Sequence, residues 1–171
     1  MNQPLAWFLT WHSYGTWLPG NEKGYVDEEH RLPGEPFAMP NPELLAYSES
    51  LLQNPAVYLN EPQRVATQAA VIEVCQYRMW ELFALHVRTT HVHAVVTGQG
   101  NPEKMIADFK AYATRRLRRE NLNRSTDKIW AGHGSTRYLW TQQHVEEAVD
   151  YVLNRQGTLM VPAPFVSASL S

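Results

Sequence analysis

The sequence predicts an α+β domain in which an antiparallel sheet packs its helices on one face, the ferredoxin-like or RRM-like arrangement. Three observations predict it. Strand-like and helix-like segments follow in the order strand, helix, hairpin, helix, the order of a two-layer domain. Two β-branched runs, 82–88 and 91–97, are separated only by Thr89-Thr90 and so are close enough for an antiparallel hairpin. A chain of 171 residues with 44% hydrophobic composition can bury one core and is too short for two. The expected organisation is a single domain over residues 1–160 and a flexible tail over 161–171, rich in Pro and Ser.

Each element has a local reason. Residues 5–11 are apolar and aromatic, as in a strand, and run into the turn signals Ser13-Tyr14-Gly15 and Pro19-Gly20. Residues 21–60 are rich in Pro, Gly and acids and read as a peripheral insertion with a short helical stretch at 42–53. Residues 61–80 open with Pro62 and place Val65, Ala69, Ile72 and Gln76 on one side, with Val71, Val74 and Cys75 nearby, as an amphipathic helix requires. Gly98 and Gly100 end the hairpin. Asn101 then serves as N-cap and Pro102 as first residue of a helix to about residue 121. After a Gly-, His- and aromatic-rich stretch at 130–140, a final helix over 144–154 carries Val145, Ala148, Val149, Val152 and Leu153.

The single cysteine, Cys75, has no partner for an intramolecular disulfide, and there is no cysteine group for a structural zinc site. A reducing cytoplasm is expected. No signal-like leader or membrane-length apolar run is present, so a soluble chain with no membrane partner is expected. The formal net charge of −2 conceals a segregation: residues 1–62 carry a balance of −6, and residues 104–128 a balance of +5. A basic segment of that density can form a phosphate-binding footprint in an acidic protein.

The sharpest chemical feature is His91-Val92-His93 on a strand. Side chains two residues apart project from one face, so two imidazoles converge while Val92, Ala94 and Val96 form an apolar row on the other. Two ligands make a poor metal site, and a third must come from elsewhere in the fold. Tyr112 lies roughly 100° from the centre of the stripe Ile106, Phe109, Ala113 and Leu117, at the boundary of the buried face and among Arg115, Arg116 and Arg119. A phenol ionises near pH 10 and needs a base, cations or a metal to act as a nucleophile.

These features resemble the IS200-like, single-tyrosine HUH transposases and their REP-associated relatives. The resemblance rests on Leu9-Thr10-Trp11, Tyr14-Gly15-Thr16-Trp17-Leu18-Pro19-Gly20, His91-Val92-His93-Ala94-Val95-Val96, Phe109-Lys110-Ala111-Tyr112, Gly134-Ser135-Thr136-Arg137-Tyr138-Leu139-Trp140 and Tyr151-Val152-Leu153, and covers most of residues 5–157. It implies cleavage and joining of single-stranded, often hairpin-forming DNA. In that implication His91 and His93 hold Mg2+ or Mn2+, and Tyr112 attacks to leave a 5'-phosphotyrosine and a free 3'-hydroxyl. Relatives often take a third ligand one turn after the nucleophile, where this chain has Arg116, which cannot bind a cation. Asp108 is then the first candidate, with His133 and His12 as others. Lys104, Lys110, Arg115, Arg116, Arg119 and Arg137 are the expected DNA contacts, and Trp130, Tyr138 and Trp140 candidate base-stacking residues. Two alternatives stay open: a non-catalytic ferredoxin-like nucleic-acid-binding module, and a metal-dependent hydrolase that uses water. Both homodimer and monomer fit the sequence.

Overall fold

A computed structural model describes residues 3–22, 38–124 and 127–157. The expected tail at 161–171 and residues 23–37 of the expected insertion lie outside them. The elements are β1 (Ala6–His12), α1 (Pro42–Ser50), α2 (Glu61–Arg78), β2 (Glu81–Val87), β3 (His91–Thr97), α3 (Pro102–Arg119), β4 (Ser135–Leu139) and α4 (Gln142–Asn154). The strands form one antiparallel sheet in the order β2-β3-β1-β4. Leaving out α1 and α4, this is the βαββαβ order of the ferredoxin-like fold, with β1 and β3 central.

The helices start and stop where their end groups are satisfied. Asn60 accepts from the backbone N–H of Gln63 while the Gln63 side chain returns to the Asn60 backbone, a reciprocal capping box ahead of Pro62. Asn101 accepts from the Glu103 N–H at 2.8 Å ahead of α3. Met79 closes α2 in the left-handed conformation, and its N–H returns to the last turn.

Period-two alternation decides what each sheet face meets. Trp7, Leu9 and Trp11 of β1 and Val92, Ala94 and Val96 of β3 point to one side and pack with Ala70, Val74, Phe109, Ala113 and Leu117 of α2 and α3. Phe109 stacks on Trp11 at 5.4 Å and meets Trp80 edge-on at 5.7 Å. The buried stripe of α2 is Ala66, Ala70, Val71, Val74 and Cys75. Val65, placed on the packed side by the sequence pattern, is 43% exposed, because the helix turns about one residue from the expected centre. α4 packs on the opposite sheet face, where Val145, Ala148 and Val152 cover Ala6, Ala84, Val95 and Leu139. The antiparallel α+β sheet is as the sequence implies, and α4 adds a layer to its second face.

Phe109 joins both central aromatics of the larger core. Phe109→Ala is expected to lower stability by about 3 to 5 kcal/mol, read as a fall in the urea midpoint. A loss below about 1 kcal/mol would show that this layer can collapse around the gap.

Candidate active site on the α4 face of the sheet

The face opposite the α2/α3 core carries four imidazoles. In the β1–β3 pairing His12 lies opposite His91 and Thr10 opposite His93; in the β2–β3 pairing His86 lies opposite His93. Cross-strand partners share a face, so His12, His86, His91 and His93 emerge together from the three strands β1, β2 and β3. The ring of His91 lies 4.7 Å from that of His93 and 5.4 Å from that of His12, and His12 also meets Trp17 at 4.7 Å. Two threonines orient the pair on β3: Thr10 Oγ1 lies 2.8 Å from His93 Nδ1, and Thr90 Oγ1 2.9 Å from His91 Nδ1. Such contacts to one ring nitrogen fix the ring and direct the other nitrogen, as supporting residues do around metal-binding histidines.

The same face receives a tyrosine. Val145, Ala148 and Val152 seat α4 on the sheet, and Tyr151, next to that stripe, lies along the edge of the imidazole group. Its ring is 5.8 Å from His93 and 5.9 Å from Phe8, both edge-on, and the residue is 38% exposed. Tyr151 thus has one side against an imidazole and one side open to solvent.

Burial keeps two of the imidazoles neutral. His93, 7% exposed, is pushed down to about 3, chiefly by loss of water and then by His91, His12, His86 and Arg88. His12 is lowered to about 4 by burial, His91 and Lys110. Near neutral pH both rings are in the unprotonated form that can bind a metal ion. Among the described residues no group of three His, Cys, Asp or Glu is arranged to hold a metal. Two anchored imidazoles on one strand, with further imidazoles opposite, nevertheless fit a cation that draws its remaining ligands from water and substrate.

The structure is similar to that of a REP-associated tyrosine transposase bound to a REP hairpin, with a TM-score of 0.52 and 16% identity over 88% of this chain and 66% of the other. The fold is shared with that transposase. The chain therefore spans just under two thirds of that protein's length. A protein from Deinococcus radiodurans R1 described as a candidate transposase matches with a TM-score of 0.48 and 13% identity, over 92% of this chain and 95% of its own. No family model matches the chain, and no curated protein matches it significantly.

The residues expected to act together fall into two layers. His91 and His93 meet as the alternation requires. Tyr112 does not reach them: it is half-buried against the α2/α3 core, with the Arg115 guanidinium 4.5 Å above its ring, and the sheet lies between. Asp108 is also on α3, paired with Arg78 at 3.1 Å and Lys104 at 3.3 Å, and does not join the histidines. His133 is exposed in a left-handed turn, where its carbonyl accepts from Lys110. Of the three candidate further ligands, only His12 lies with the pair.

The expected DNA contacts divide in the same way. Arg137, opposite Phe8 on β4, is exposed and on the histidine face. Lys104, Lys110, Arg115, Arg116 and Arg119 belong to α3. There Arg116 pairs with Glu120 and Glu73, while Lys110 donates to the carbonyls of Ala131 and His133. Trp130 is a core residue, 6% exposed and bonded to Thr114, whereas Tyr138 and Trp140 stack on each other at the exposed β4 edge, 6.0 Å apart.

Tyr151, which entered the sequence reading only within the string of the last helix, and His86, whose place on a hairpin strand reads first as structural, are the residues of this face to which the sequence assigned no chemistry. One signal for Tyr151 was present. Val95 shares the strand face of His91 and His93, so that face needs apolar cover at one end, and the helix that supplies it must set its flanking residues beside the histidines.

Because the folded pKa values of His12 and His93 lie below 6.5, the unfolded chain binds more protons between 6.5 and about 3. Stability is accordingly expected to fall as the pH is lowered through that window, with a lower urea midpoint at about pH 5 than at about pH 7.5. In the same samples the NMR signals of both rings should remain those of neutral imidazole; rings that titrate near 6.5 would contradict the burial argument.

Proposed function

We propose that the chain is a single-stranded DNA nuclease and strand-transferase of the transposase type, acting through Tyr151. The observation that carries this reading is the placement of Tyr151 beside His93 on the sheet face that gathers His12, His86 and His91. The shared fold with a transposase that binds a REP hairpin supports hairpin-bearing single strands as the DNA partner.

In this mechanism the Tyr151 hydroxyl loses its proton and its oxygen attacks the scissile phosphorus. The bond from phosphorus to the 3'-oxygen breaks, and that oxygen takes a proton to become a free 3'-hydroxyl while the 5'-phosphate stays on Tyr151. The covalent link conserves the ester for rejoining, so no nucleotide hydrolysis is needed. His91 and His93, with His12 beside them, would hold a divalent cation, Mg2+ or Mn2+. When bound, the cation offsets the negative charge that develops on the phosphate oxygens. Arg137 supplies a positive charge on the same face. Two exposed-side cations of α3, Arg115 and Arg119, would contact phosphates farther along the DNA.

The test uses oligonucleotides with hairpins from the flanks of the gene, with Mg2+ or Mn2+, resolved on denaturing gels. Wild type and Tyr112→Phe should form a protein–DNA adduct, Tyr151→Phe should lose at least about a hundredfold of it, and chelation should abolish it. Cleavage that survives Tyr151→Phe would point instead to a hydrolase with a water nucleophile. DNA bound but uncut by wild type would point to a binding module.

A further inference from the structure

Arg88 sits at the end of β2 and has no role in the mechanism described so far. Its backbone N–H donates to the carbonyl of His91 at 2.8 Å, which continues the β2–β3 ladder by one residue and sets Arg88 directly across from His91. Counting back by twos, Arg88, His86 and Ala84 share a face, and Ala84 is packed under α4. Arg88 therefore rises from the histidine face. Its guanidinium nitrogens lie 3.7 and 3.8 Å from where a side chain on Gly157 would begin, just past the end of α4. The charge is thus held between the paired histidines and the helix that presents Tyr151.

The environment of this charge is unusual. Arg88 is half-buried, and none of the carboxylates among the described residues pairs with it. On α4, Asp150 is ion-paired with Arg155 at 2.8 Å. A guanidinium that has lost part of its water and has no carboxylate partner among the described residues is costly, and the cost is recovered when an anion arrives. The planar fork of arginine fits the paired oxygens of a phosphate better than any other cationic side chain does.

We propose that Arg88 is a phosphate-binding residue of this site, gripping non-bridging oxygens of the DNA strand at the step between His91 and Tyr151. The proposal rests on the reading of the α4 face as a DNA-processing site and adds the residue that positions the strand there. A purely structural role, with Arg88 only compensating the negative end of α4, makes a different prediction.

The test separates these cases. Binding of a fluorescein-labelled oligonucleotide with one hairpin and a single-stranded flank is followed by anisotropy across a salt series, without metal, for wild type, Arg88→Gln and Arg88→Lys. Arg88→Gln should weaken binding about tenfold and flatten the dependence of log Kd on log salt by about 0.7, the share of one phosphate contact on a single strand. Arg88→Lys should keep the slope and recover part of the affinity, since the charge stays and the fork is lost. An unchanged Kd and slope in Arg88→Gln would overturn the proposal, as would a lowered urea midpoint in both variants with the salt slope intact. The adduct assay reports separately: if wild type forms no adduct, the catalytic reading fails, while the salt slope still decides whether Arg88 meets a phosphate.

Discussion

The antiparallel pairing of β1 with β3 is the constraint on which the rest of the molecule depends. Its register sets Thr10 against His93 and His12 against His91, and in the same stroke sends Trp11 and Val92 to the other side. Because strand side chains alternate with a period of two, a slip of one residue would turn the imidazoles into the α2/α3 core and expose a row of valines and tryptophans. The core and the site are therefore specified by one interaction, read from its two faces. The buried aromatics, with Trp11 stacked on Phe109, hold the register, and the register presents the chemistry.

Four imidazoles on one sheet face would repel one another if they carried charge. Burial resolves this for His12 and His93 by holding both rings neutral, and the threonine hydroxyls on His91 and His93 fix how those rings stand. The arrangement sacrifices stability in acid, where protons are drawn to the unfolded chain, and leaves both rings unprotonated at neutral pH. Arg88 and Arg137 supply positive charge at the borders of this group of imidazoles.

Much of this was legible in the sequence, and the part that was not has a physical reason. The hairpin, the caps at Asn101 and Pro102 and the convergence of His91 and His93 are local features, set by residues within a few positions of each other, and they lie where the pattern puts them. Which tyrosine stands beside the histidines is not a local matter. Tyr112 has the right chemistry and a basic neighbourhood, but α3 is a crossover helix, and its apolar stripe commits it to the face that Val92, Ala94 and Val96 present. Its distance from the histidines follows from their own alternation: the residue between them faces α3, so they cannot. Asp108 is removed from the site by the same geometry, whereas His12 reaches it through long-range strand pairing.

That logic also assigns the two charge distributions. The density of α3 cations suggested a phosphate surface at the reacting groups, yet Lys104 and Arg116 are paired with carboxylates, and the whole helix is on the far layer. A DNA strand lying on the histidine face would meet few charges, but each would be placed: Arg88 opposite His91 and Arg137 opposite Phe8. Charge counted along the chain measures how strongly a protein attracts a polyanion, and it says little about where the bond is broken. For that, the face of the sheet on which a residue stands decides more than its neighbours in sequence, and it is α4 that sets Tyr151 beside His93.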